Sequence, residues 1–284
     1  MTIAVLDAGF MNVDKIAAFR NLNIKGTHNF VAGYDNDVYK EMDHGTKTLS
    51  TIAMNQPTVF VGTAPKADFW LLRTEDYSTE SPAEEDFWIA AVEFSDSVGV
   101  DIISSSLGYH GFDDISMNYR YSDLNGRTAA ISQAASRLAS KGMILVNSAG
   151  NDGMGTWKKI NVPADAHDIL TVGAVSLDKV NAPFSSIGPT ADGRIKPDVM
   201  AYGCPTNVVS GRGYIIPDNG TSFACPLIAG MVACLWQACP NKSAKEIIYI
   251  IRQSGNNCQS PDNIMGYGIP DFWSAYQSAT RYNQ

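Results

Sequence analysis

The chain has 284 residues, 45% of them hydrophobic and only 18% charged, a balance that excludes intrinsic disorder. A formal net charge of −8 argues against a domain that grips nucleic acid through its phosphates. The longest apolar stretch, 223–236, is interrupted by Pro226 and Gly230. It is shorter than the ~20 residues of a membrane span and reads as a core helix.

In chain order, residues 2–6 form a short apolar run of the type buried in parallel sheets. Residues 69–72, 100–105, 143–147 and 169–175 repeat it. Helices are predicted between these runs. Over 81–99, Ser81 is the N-cap, Pro82 suits the first helical position and Glu84 completes a capping box. Phe87, Ala91, Phe94 and Val98 then make an apolar stripe, and Gly99 suits the residue past the end. A second helix covers 128–141 and stops at Gly142. Residues 208–210 and 214–216 flank a Gly-Arg-Gly turn and read as a hairpin. Ser243 and Glu246 form a capping box ahead of 247–251. The alternation predicts an α/β fold: a three-layer, mostly parallel β-sheet with helices on both faces. In that architecture the chemistry lies at the carboxyl ends of the strands.

All five cysteines, Cys204, Cys225, Cys234, Cys239 and Cys258, fall in the last third. They form no CxxC pair and have no histidine at ligand spacing, so no metal site is predicted. Cys225 and Cys234 lie in the apolar helix and read as buried thiols. Cys239 and Cys258 flank polar turns and are a candidate bridge, worth ~3 kcal/mol and pointing to an oxidising compartment.

Four polar residues stand just past predicted strands or at helix starts. Asp7 ends the first strand, His44 lies in Asp43-His44-Gly45-Thr46, Asn151 follows 143–147, and Ser222 opens the apolar helix. Each alone is an ordinary turn former or N-cap. Together they are what acyl transfer requires: a serine nucleophile, an imidazole base, a carboxylate to orient it, and donors for the oxyanion. A serine at a helix N-terminus adds its own N–H and the positive end of the helix dipole. All four histidines (His28, His44, His110, His167) precede Ser222. That excludes the α/β-hydrolase order Ser, Asp, His, and Gly220-Thr221-Ser222-Phe223-Ala224 does not complete GxSxG.

The order Asp7, His44, Ser222 resembles that of the subtilases, the subtilisin-like serine peptidases. Val5-Leu6-Asp7-Ala8-Gly9, His44-Gly45-Thr46 and Gly220-Thr221-Ser222-Phe223-Ala224-Cys225-Pro226 resemble the three catalytic motifs. Gly62-Thr63-Ala64-Pro65-Lys66-Ala67 and Phe184-Ser185-Ser186-Ile187-Gly188-Pro189 resemble the segments between them. The resemblance covers nearly the whole chain and implies one catalytic domain over 1–284. It implies a serine endopeptidase acting on protein or peptide substrates, with Asn151 and the Ser222 N–H at the oxyanion. It assigns Ser105, Ser106, Leu107 and Gly108 to the strand that pairs with the substrate. Ser148, Ala149 and Gly150 become a wall of the S1 pocket, and Asn161 its base.

The resemblance also implies a secreted or extracytoplasmic protein whose leader, propeptide and first residues were cut off ahead of Met1. No cofactor is expected. Many relatives bind calcium, but the matching loop, 53–59, has two amides and no carboxylate. Asp35-Asn36-Asp37 reads as a solvated loop, while Glu84, Glu85 and Asp86 border the cleft and would favour basic substrate residues. The rival readings are a catalytically silent peptide-binding module on the same fold and a nucleotide-binding protein. The latter has against it that Gly150-Asn151-Asp152-Gly153-Met154-Gly155 is not spaced as GxGxxG.

Overall fold

A computed structural model describes residues 1–281. Its elements are β1 (Thr2–Asp7), β2 (Asn23–Asn29), α1 (His44–Ala53), β3 (Asn55–Gln56), β4 (Phe60–Val61), β5 (Asp68–Arg73), α2 (Ala83–Ser97), β6 (Ile102–Ser105) and α3 (Ala130–Ala135). There follow β7 (Ile144–Ser148), β8 (Leu170–Ser176), β9 (Val199–Cys204), β10 (Thr206–Val209), β11 (Ile215–Asp218), α4 (Thr221–Ala238), α5 (Ala244–Gln253) and α6 (Phe272–Arg281). Seven strands form one sheet in the order β2-β5-β1-β6-β7-β8-β9. Every neighbouring pair in it is parallel.

The apolar runs fold as strands because both faces of the sheet are covered. Side chains alternate across a strand, so each run feeds two cores. Ile3, Val5, Phe69, Leu71, Ile102, Ile144 and Val146 pack with α1, α4, α5 and α6. Ala4, Leu6, Leu72, Ile103 and Leu145 pack on the other side with Trp88, Ala91 and Val92 of α2 and Ile131 and Ala135 of α3. The three-layer α/β class predicted from the alternation is the one found. Thr221–Ala238 is long and apolar enough to cross a membrane, but 67% of it is buried between the sheet and the outer helices.

Several elements differ from the sequence reading. α2 begins at Ala83, and Glu84 accepts from the Ser81 N–H at 3.1 Å while the Ser81 side chain caps nothing. Its buried face is Trp88, Ala91, Val92 and Ser95, with Val98 exposed, because the sheet meets the helix one residue round from the Phe87–Phe94 stripe. The helix predicted over 128–141 is broken into α3 and a 3-10 turn at Leu138–Lys141. Gly142 does end it, at φ 87°. The hairpin is β10–β11, and the Ser243–Glu246 capping box is present in full. All five cysteines are free thiols, so the proposed Cys239–Cys258 bridge is not formed, and Cys234 is exposed rather than buried.

Candidate active site

β1 carries Asp7, fully buried, to the carboxyl edge of the sheet. α1 starts there with His44. The two backbones can approach because both carry glycine. The Gly45 N–H donates to Gly9 O at 3.0 Å. A Cβ on Gly45 would lie 2.4 Å from that oxygen, and one on Gly9 2.2 Å from Glu41 O. His44 Nδ1 consequently sits 2.7 Å from Asp7 Oδ1. The Ala8 N–H donates to the same oxygen at 2.8 Å, and the Thr48 hydroxyl, one turn along α1, donates to Asp7 Oδ2 at 3.0 Å. Burial disfavours the imidazolium, but the Asp7 charge and hydrogen bond outweigh it and hold the His44 pKa above the usual 6.5.

Ser222 is the second residue of α4. The ring of its neighbour Phe223 lies 5.8 Å from the His44 ring, which brings the start of α4 against the Asp7–His44 pair. Pro226 has no N–H to give the Ser222 carbonyl four residues back. Ser106 Oγ takes that carbonyl instead, at 2.8 Å. The Ser222 hydroxyl donates in turn to Ser106 O at 3.4 Å, so in this resting arrangement it is not bonded to His44. Among the described residues the Ser222 N–H has no acceptor. Asn151 Oδ1 accepts the Thr221 N–H at 2.9 Å and the Thr221 hydroxyl at 3.0 Å. A backbone N–H must point at oxygen, so the amide orientation is decided, and among the described residues its NH₂ has no acceptor.

The other predicted residues divide into two groups. Ser106, Leu107 and Gly108 continue past β6 as an edge segment, and the Gly108 peptide groups have no partner among the described residues. Asn161 lies against both Gly108 and Gly150, while Ala149 is fully buried in the core. Ser105 is wholly buried and accepts from Trp88 Nε1 at 3.0 Å, so it braces the strand from inside the sheet. Ser148 is likewise buried at the end of β7.

Glu84 and Glu85 do not face the cleft. Glu84 accepts from the Asp76 and Ser81 N–H groups, Glu85 from the Tyr119 hydroxyl, and burial raises both pKa values to about 7. The Asp35–Asp37 loop is exposed, and Lys40 pairs with both carboxylates at 2.7 and 3.3 Å. The 53–59 loop closes into the β3–β4 hairpin. It carries two amides and no carboxylate.

Three residues matter here that sequence reasoning passed over. Thr48 holds the second Asp7 oxygen, Thr221 orients Asn151, and Pro226 frees the Ser222 carbonyl. Thr48 carried a usable signal, four residues after His44 and therefore on the same helix face.

The sequence matches the Subtilase family over residues 1–268. It is 28% identical to subtilisin DY of Bacillus licheniformis over 249 residues, covering 86% of this chain and 81% of that protein. It is 30% identical to subtilisin NAT of Bacillus subtilis subsp. natto over 235 residues, covering 82% of this chain but only 54% of the relative's length. Among solved structures, the self-cleaved protease domain of PatA superposes with a TM-score of 0.77 at 20% identity, over 99% of this chain and 97% of that one. The epidermin leader peptide processing serine protease of Staphylococcus aureus gives 0.76 at 21%, over 99% and 75%. At those identities the structures speak for the fold. With the family match spanning residues 1–268, this chain belongs to the subtilase family.

Proposed function

We propose that the chain is a serine endopeptidase in which Asp7, His44 and Ser222 form the catalytic triad. The observation that carries this reading is the pairing of the buried Asp7 with His44, 2.7 Å apart, packed through Phe223 against a helix whose second residue is Ser222. His44 takes the Ser222 proton as the hydroxyl leaves Ser106 O and attacks the scissile carbonyl. The Ser222 N–H and the Asn151 NH₂, the two unpaired donors beside it, receive the oxyanion. His44 then protonates the leaving amine, and water repeats the cycle on the acyl-enzyme. The substrate backbone adds as a strand along Ser106–Gly108, where among the described residues the Gly108 peptide groups stand unpaired. Extracytoplasmic action is proposed on family grounds alone, since the thiols are free.

Labelling by a fluorophosphonate, which needs an activated serine, tests the reading directly. Absence of label in folded protein would overturn it and favour the silent peptide binder. Asn151→Ala is expected to lower kcat by ~10²–10³ with little change in KM. Asn151→Asp keeps the acceptor for Thr221 but has no donor, so it should lose as much; near-normal turnover in Asn151→Asp would remove Asn151 from the oxyanion site. The base must be neutral to work, and a raised His44 pKa keeps it protonated to higher pH. A pH profile of kcat/KM should therefore fall on the acid side with a midpoint above 6.5.

A further inference from the structure

We infer that Thr48 is a positioning residue for the proton transfer: its hydroxyl clamps the Asp7 oxygen that His44 does not use. The inference rests on the peptidase reading above and adds a residue that governs the base through its carboxylate. Asp7 is wholly buried, and its two oxygens are served unequally. Oδ1 is shared by the His44 ring at 2.7 Å and the Ala8 N–H at 2.8 Å. Among the described residues Oδ2 has one donor, the Thr48 hydroxyl at 3.0 Å. A carboxylate only accepts, so the hydroxyl donates there. Gly45 O also lies within 3.1 Å, but the charged oxygen is the stronger acceptor. The torsion that turns a carboxylate has a broad minimum. Holding Oδ2 keeps that torsion from swinging Oδ1 off the imidazole.

Packing alone does not ask for a hydroxyl at this position. Every residue of α1 from Thr48 to Ala53 is buried, Leu49 and Ile52 among them. A valine would take nearly the same space, with the same branching at Cβ and no polar atom to satisfy. Placement on the helix matters as well. Thr48 follows His44 by four residues, one turn along the same face. One rigid element therefore carries both the base and the clamp on its carboxylate, and the two cannot drift apart.

The other ionisable groups around the pair do not duplicate this role. Lys47 on α1 and Asp218 on β11 meet at 3.1 Å and act on His44 in opposite senses, and Asp43 pairs with Lys47 at 3.4 Å. Glu75, past β5, and Cys225, on α4, lie toward Asp7. Burial favours the neutral form of both, holding Glu75 well above the usual carboxylate range and the thiol at about 12. Without the Thr48 hydroxyl, Oδ2 would keep its charge with no donor, and that charge would act on the imidazolium undiminished. His44 would hold its proton to higher pH, the opposite of what removing the charge itself would do. Its grip on Oδ1 would also lose aim, which slows proton transfer in both directions.

The test compares Thr48→Val, Thr48→Ala and Thr48→Ser with the parent in kcat, KM and the pH profile of kcat/KM on one peptide anilide. Thr48→Val and Thr48→Ala are expected to lower kcat by ~10-fold with KM little changed. Their acid limb should move to higher pH by ~0.5 unit. Thr48→Ser keeps the donor and should recover most of both effects, although it too loses a buried methyl. Two variants without the hydroxyl guard against one that folds poorly. Parent-like kcat and an unmoved acid limb in either folded variant would overturn the assignment. So would an acid limb that moves to lower pH, or a loss as large in Thr48→Ser, which would mark a packing defect. Each of these leaves the peptidase reading standing, whereas a parent that neither cleaves nor takes a fluorophosphonate label would overturn both.

Discussion

Ser222→Ala is expected to lower peptide hydrolysis by ~10⁴–10⁶-fold and to abolish fluorophosphonate labelling. The fold should not notice. Among the described residues the only hydrogen bond the hydroxyl makes is the 3.4 Å contact with Ser106 O. The bond that shapes the site, from Ser106 Oγ to the Ser222 carbonyl, is accepted by the Ser222 backbone and survives the change. Thermal melts of the two proteins should agree to within ~2 °C, since losing one weak hydrogen bond is worth at most about 0.5–1 kcal/mol. The combination is diagnostic: an intact fold with no turnover assigns the loss to the nucleophile. Parent-level hydrolysis by the alanine variant would eliminate Ser222 from the reaction.

The second large effect is expected from Asp7→Asn, which should cost ~10⁴-fold in kcat. The substitution keeps size and can keep shape. An amide oxygen can still accept from the Ala8 N–H, and the NH₂ can face Thr48, whose hydroxyl has Gly45 O, 3.1 Å away, as an alternative acceptor. What is lost is the negative charge 2.7 Å from the imidazole. Without it the burial of His44 acts unopposed, so its pKa should drop. The variant must therefore show two things in one pH profile: a collapsed rate and an acid limb moved to lower pH. A loss smaller than tenfold, or an acid limb that does not move, would show that Asp7 does not govern the base.

The parts of this protein that were legible in its sequence are those set by local chemistry. The apolar runs at 2–6, 69–72 and 143–147 could be read as buried strands because both faces of the sheet are covered and all but Thr2 and Asn147 are apolar. The edge strand β2, Asn23–Asn29, escaped notice because its residues are half-buried or exposed and polar, with Gly26 packed under the Trp70 ring. β9, between Pro197 and Pro205, was missed because Gly203 and the exposed Tyr202 interrupt its apolar run. The register of α2 was misjudged by one residue, since periodicity shows that a helix has an apolar face but two neighbouring faces, Phe87–Phe94 and Trp88–Ser95, both qualified. The bridge proposed for Cys239 and Cys258 failed for a related reason: spacing along the chain says nothing about distance across it.

The site divides the same way. Residue type and order alone grouped Asp7, His44, Asn151 and Ser222 as candidates, because acyl transfer needs those four chemistries and that order suits the family they resemble. Which atoms are free to act was decided by tertiary structure. Two glycines let β1 and α1 touch, so that a carboxylate and an imidazole 37 positions apart meet at 2.7 Å. A missing proline N–H leaves the Ser222 carbonyl to Ser106, 116 positions away. Thr221 claims one end of the Asn151 amide and thereby aims the other. Glu84 and Glu85, placed at the cleft by sequence, are turned inward by the need of buried N–H and O–H donors for acceptors. Chain order specifies which groups are available; only packing specifies which of their lone pairs and hydrogens are already used, and the chemistry falls to those left over.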